Sequence, residues 1–214
     1  MMMSAYNESY LDDAMQNLGD MVEYAVCDCG YDPDEFFGWF ISSGVASRFE
    51  KGNPKYITGM SGFELAEAVL KATNIALPGI APSHPDFKDR EYWAGWIFAY
   101  YQWQSGRRFE DIVADGLTLS TVFGMYIHHE ADNSKFVESA DAIIRRNKET
   151  RKSKLHTIRK ARGFTQQQLS KAAGVALRMV QLYEQKQNDL SKAQVNVVIA
   201  LAKALGCEVE DLID

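Results

Sequence analysis

The sequence predicts an all-α protein in two parts: an acidic helical domain over 1–144 and a small basic helical domain over 153–214. Residues 145–152 between them read as a polar linker or a helix extension. Three observations predict this. Apolar residues recur at steps of three and four along nearly the whole chain, the spacing that gathers side chains on one face of an α-helix. No stretch alternates apolar and polar residues over more than four positions, as a half-buried strand requires, and only Lys55 to Gly59 is expected to pair briefly. Arg145 to Lys154 holds no apolar residue and separates two periodic regions.

In chain order, Leu11, Met15, Leu18, Val22 and Ala25 place one amphipathic helix over about residues 6 to 28. Asp32 followed by Pro33 is an N-cap with proline at the first helical position, opening a short helix that carries Phe36, Phe37, Trp39 and Phe40 and stops at Gly44. Ser61 with Glu64 three residues on makes a capping box ahead of Phe63, Leu65, Ala68 and Val69. Asn74 to Phe87 holds three of the five prolines and reads as a loop. Arg90 to Gln104 puts Tyr92, Trp93, Trp96, Ile97, Tyr100 and Trp103 on nearly every side of a helix, which predicts burial at the core of the first domain or a docking surface, with burial favoured. Ile112 to Ala114 and Leu119 to Ile127 continue in helical style, and Phe136, Val137, Ala140, Ile143 and Ile144 form a helix after Asp132 and Asn133.

Composition narrows the class. At 214 residues, 46% hydrophobic and 24% charged, the chain is long and apolar enough to build a core without disulfide or metal staples, which excludes disorder and mini-protein scaffolds. Three cysteines cannot close a disulfide framework, and Met1 to Tyr10 lacks the basic-then-apolar order of a signal peptide, so a cytoplasmic location is expected. The most apolar stretch, Tyr92 to Trp103, falls well short of the ~20 residues of a spanning helix. No membrane partner is expected.

Charge points to a different partner. The net charge of −6 by itself argues against nucleic acid, but it hides an asymmetry: Met1 to Ile144 carries 9 Lys and Arg against 22 Asp and Glu, whereas Arg145 to Asp214 carries 14 against 7. A basic module attracts phosphate wherever an acidic body does not block it.

The basic module has its own punctuation. Leu155 and Ile158 mark a helix closed by Gly163; Thr165 and Gln168 form a capping box, and Leu169, Ala172 and Ala173 line a second helix stopped by Gly174. Val175, Val180 and Tyr183 are spaced to pack a third helix across the second, with Ser170 small at the crossing. Ser191 and Gln194 are expected to cap a fourth helix through Val195, Val198, Ile199, Ala202 and Leu205, and a last turn with Val209, Leu212 and Ile213 makes the fifth.

This order of features, carried by TQQQLSKAAGVALRMVQLYE from Thr165 to Glu184, resembles the five-helix, lambda-repressor-like helix-turn-helix domain of the Cro/C1-type, Xre-like regulators over Ser153 to Asp214. The resemblance implies a sequence-specific transcriptional regulator that binds double-stranded DNA, with the helix after the glycine turn in the major groove. With Val180 at the centre of the buried face, ~100° of rotation per residue turns Arg178, Leu182 and Gln185 outward, with Gln181 at the flank. Arg178 suits guanine, Gln181 and Gln185 suit adenine, and Leu182 a thymine methyl. Gln166 matches a family position that contacts phosphate and neighbouring bases, and Lys171, Lys186, Arg159 and Arg162 are phosphate candidates. Two features depart from the family pattern: Ala176 stands where a serine or threonine usually caps the recognition helix, and Leu177, itself a DNA-binding candidate, Met179 and Leu182 are more apolar than a wet DNA surface needs, with Leu182 fitting a protein contact equally well. Homodimers are common in the family, although no heptad seam here compels one.

Other groupings yield less. Cys27-x-Cys29 is a poor chelating spacing, and His128-His129 would be turned ~100° apart on a helix, so no metal or other cofactor is expected. No HExxH, glycine-rich phosphate loop or nucleophile elbow occurs, and no enzymatic activity is expected. The acidic residues Asp28, Asp32, Asp34 and Glu35 suit either solubility or a basic partner protein. The first domain, including Tyr92 to Trp96, is similar to what precedes such domains in bacterial regulators, some of them encoded beside toxin-like proteins. That similarity implies the alternative, an antitoxin-like protein that neutralises a co-encoded partner through its N-terminal domain.

Overall fold

The computed structural model describes residues 4–83, 88–150 and 152–213, and among them it holds thirteen α-helices and no strand. The chain divides into two compact units, Met1–Asn147 and Lys148–Asp214.

The first unit is arranged around α1 (Leu11–Glu23) and α6 (Arg90–Ser105), which lie against each other with α5 (Gly62–Ala72) beside α1. Glycine permits that approach: a Cβ on Gly95 would collide with the Leu18 carbonyl oxygen, and one on Gly19 would come within 2.8 Å of the Tyr92 ring. No residue of α6 from Glu91 to Ser105 is exposed, so the aromatic helix is the core of this unit. Around it, Phe36, Phe37 and Phe40 of α2 (Pro33–Ser42), Phe49 of α3 (Val45–Phe49) and Phe109 of α7 (Phe109–Ala114) are fully buried. Phe37 packs against Phe98 at 5.1 Å and Phe40 against Phe109 at 5.5 Å between ring centroids. The helices α4 (Pro54–Ile57), α8 (Leu119–Phe123) and α9 (Asn133–Thr150) complete the series.

The local signals explain most boundaries. Asp32 Oδ1 accepts from the amides of Asp34 and Glu35, both at 3.0 Å, and Ser61 and Glu64 form their reciprocal box. Several expectations are corrected. The helix expected over 6–28 begins as a 3₁₀ turn, Glu8–Tyr10, and ends as a π turn, Tyr24–Asp28. Lys55 to Gly59 forms no strand; Asn53 caps and Pro54 opens a single helical turn there. Gly44, at φ 75°, ends α2 but at once admits α3, because Ser43 and Gly44 form a corner rather than a loop. Of the two readings of the polar run from Arg145, linker or helix extension, the helix extension holds through Thr150 within α9, while Arg151 lies outside the described residues. Of the acidic residues noted above, Asp32 is a cap, Asp34 accepts from the Ser120 amide (2.9 Å) and Thr118 Oγ1 (3.2 Å), and Asp28 accepts from the Ser83 amide (3.2 Å). Of the loop expected over Asn74 to Phe87, residues 84–87 lie outside the described residues, while Ala76 to Ser83 has no helix or strand.

The second unit consists of α10 (Lys154–Ala161), α11 (Gln166–Ala173), α12 (Leu177–Glu184) and α13 (Val195–Leu205) over a core that includes Leu155, Leu169, Val180, Leu190, Leu201 and Leu212. Two expectations fail here. Asp189, not Ser191, supplies the capping oxygen, and it caps a 3₁₀ turn, Leu190–Lys192, whereas α13 starts at Gln194 without a side-chain cap. The last turn does not form an α-helix: Glu208 to Leu212 make 3₁₀-type turns, the amides of Asp211 and Leu212 donating to the carbonyls of Glu208 and Val209, with Asp211 accepting from the Glu208 amide (3.1 Å).

Candidate nucleic-acid interface

The interface is built on the corner between α11 and α12. Thr165 Oγ1 accepts from the Gln168 amide (3.1 Å) and Gln168 Oε1 from the Thr165 amide (2.8 Å), satisfying two of the unpaired donors at the start of α11. The helix stops at Gly174, φ 65°. A Cβ there would meet nothing within 4 Å, so the left-handed backbone angle, and not crowding, demands glycine. Ser170 ties the corner: its Oγ donates to the Val175 carbonyl (2.6 Å), and its carbonyl accepts from the Val175 amide (3.1 Å).

On α12 the buried side is Val180, Tyr183 and Glu184. Opposite it, Arg178 and Gln185 are exposed, Gln181 is half-buried at the flank, and Leu177 is 37% exposed at the helix start. Leu182, expected to face outward, is half-buried instead. The helix ends two residues later and the chain folds back, the amides of Gln187 and Asn188 donating to the Leu182 carbonyl at 3.0 and 3.2 Å. Lys171 on α11 and Lys186 beyond α12 are exposed, and Lys186 adopts φ 55°, an angle that favours glycine. Ala176 leaves the first amides of α12 without a side-chain acceptor.

Arg159 is not a phosphate contact. It is 3% exposed, and its Nε and Nη2 (2.9 Å) donate to Glu184 while Nη1 donates to the Phe164 carbonyl (2.5 Å). Glu184 also accepts from His156 Nδ1 (3.1 Å) and from Gln166 Nε2 (2.8 Å), so α10, α11 and α12 meet at one carboxylate. Burial alone would raise its pKa, but the hydrogen bonds from Arg159, Gln166 and His156 more than offset that and hold the carboxyl below the usual range. A helical reading can find this pair: Arg159 follows Leu155 by four and Glu184 follows Val180 by four, so each lies on a buried stripe. Arg162 is exposed and donates to the Gly206 carbonyl (3.1 Å) at the end of α13.

Residues 155–212 match the family model described as helix-turn-helix, of the Cro/C1 type. This segment is a helix-turn-helix domain. The match supports a DNA-binding module of transcription regulation. No curated protein and no solved structure matches the chain.

Away from the helix-turn-helix domain, the other groupings do not assemble. His128 Nε2 lies 3.3 Å from Ser139 Oγ while His129 stacks on Tyr126, so the two imidazoles engage different partners. Cys27 is exposed and Cys29 half-buried, and no group of three His, Cys, Asp or Glu suited to a metal ion occurs among the described residues. Among those residues no helix is long and apolar enough to cross a membrane.

Proposed function

We propose that the chain is a sequence-specific transcriptional regulator in which α12 reads base edges in the major groove. The observation that supports it most is the exposed Arg178–Gln185 side of α12, set directly after the Gly174 corner and opposite the buried Val180. Arg178 presents the planar fork that bonds guanine O6 and N7 together, Gln185 and Gln181 have the donor and acceptor that match adenine, and Leu177 and Leu182 offer apolar surface to a thymine methyl. Lys171, Lys186 and Arg162 supply phosphate contacts that set register without reading sequence. On a symmetric site, two copies would occupy half-sites about 34–36 Å apart. Residues 1–144, with 22 acidic against 9 basic residues, are repelled by the same phosphates, so their role is regulation or capture of a partner rather than contact with the duplex.

Binding of the full chain to duplex DNA from upstream of its own gene, followed by fluorescence anisotropy over a series of salt concentrations, tests this reading. The expected result is saturable binding whose logarithm falls linearly with log salt, with a slope of about −0.9 per phosphate neutralised. No binding even at low salt would overturn it.

A further inference from the structure

A cleft of about 340 Å³ opens in the second unit where the chain leaves α12, beside the start of α10 and the last turn of the chain. Its floor is apolar: Leu155, Leu190 and Leu212 are buried members of the domain core. The volume falls within the range of about 300–1,000 Å³ in which proteins hold small molecules.

Tyr183 gives the wall its chemistry. The residue is 6% exposed, and its hydroxyl makes no hydrogen bond among the described residues. A buried phenol ordinarily finds a partner. This hydroxyl is not sealed inside the core, as that of Tyr6 is, so it opens on the cleft that Tyr183 lines. Positive charge flanks it from two sides. Lys186 stands on the same wall, and so does Ser153, the N-cap of α10, where the helix dipole has its positive end. The carboxylate of Asp189 also lies on the wall but is engaged: Oδ1 accepts from the Ser191 amide (2.9 Å) and hydroxyl (2.7 Å), and Oδ2 lies 3.3 Å from Lys192 Nζ. A donor hydroxyl without a partner, set beside positive charge and above a floor of leucines, suits a molecule with an anionic acceptor at one end and hydrocarbon at the other.

We propose that this cleft is a ligand site for a small aliphatic carboxylate. The carboxylate accepts from the Tyr183 hydroxyl beside Lys186 and the start of α10, and the tail lies on Leu155, Leu190 and Leu212. The site belongs to the second unit alone and does not depend on the reading of DNA proposed above.

The test follows the backbone amide chemical shifts of the isotope-labelled full chain during titration with acetate, butyrate, hexanoate and octanoate, and with hexanamide as the uncharged counterpart of hexanoate. Saturable shifts should concentrate at Leu155, Leu190 and Ser191, and affinity should rise about fourfold for each methylene until the cleft is filled. Hexanamide should bind about tenfold more weakly than hexanoate. Tyr183→Phe keeps the ring and removes only a hydroxyl without a partner, so it should fold as wild type does and lose about tenfold in affinity for hexanoate. Lys186→Gln changes an exposed position outside the core and should lose about threefold. Equal binding of hexanoate and hexanamide, or a Tyr183→Phe protein that holds hexanoate as wild type does, would overturn the proposal. Shifts that spread over the chain without saturating, or that no carboxylate produces, would overturn it as well.

Discussion

Three residues around the corner carry opposite consequences. Gly174 has open space about its α-carbon but a left-handed φ, so Gly174→Ala is expected to cost about 1–2 kcal/mol through backbone conformation alone, measurable by denaturant unfolding of the second unit. Ala176 has extended cap geometry, φ −55° and ψ 135°, and lacks only the acceptor. Ala176→Ser should therefore stabilise the domain by about 1 kcal/mol, read in the same unfolding experiment. Lys186 holds the left-handed conformation at φ 55° with a side chain that disfavours it. Lys186→Gly should raise stability by up to about 1 kcal/mol and yet flatten the salt dependence of DNA binding by about one phosphate, a trade expected where a strained residue serves contact rather than folding. If stability and salt slope both stay constant, Lys186 does neither.

Between helices, the decisive feature is the carboxylate shared by α10, α11 and α12. Glu184→Ala leaves Arg159 buried without its partner, at about 3–5 kcal/mol, most of what a domain of this size has. The pH dependence has a definite sign. Because the folded carboxyl lies below its ordinary value, its contribution is present above the unfolded pKa of about 4.3 and is lost as pH falls through the folded value. The stability gap between wild type and Glu184→Gln, followed by urea titration, should be full at neutral pH and close in acid; a gap independent of pH would contradict the ion pair. Elements with a local chemical signature were legible in the sequence: Asp32-Pro33, Ser61 with Glu64, Thr165 with Gln168 and Gly174 all act where their spacing places them. What was not legible came from tertiary competition. Arg159 reads as a surface cation until its place on the Leu155 stripe is considered, Asp189 caps an unforeseen 3₁₀ turn while α13 lacks the side-chain cap expected from Ser191, and Leu182 is half-buried where the chain reverses after α12, a reversal that helical periodicity does not encode.

Over the whole molecule, two units of opposite charge serve different physics. The first buries its aromatic residues around α6, so its apolar composition goes into a core, and it carries most of the chain's acidic residues. The second has a small core, a buried ion pair and an exposed polar side on α12. The function proposed above divides the work between two helices, base reading by Arg178 on α12 and phosphate contact by Lys171 on α11. Equilibrium binding of wild type, Arg178→Ala and Lys171→Ala to an enriched duplex and its single base-pair variants tests it most directly. Arg178→Ala should erase about tenfold or more of discrimination at one base pair, while Lys171→Ala should weaken every duplex by a common factor and reduce the salt slope by about one. Discrimination by Arg178→Ala that equals wild type at every position would contradict the placement of α12 against base edges.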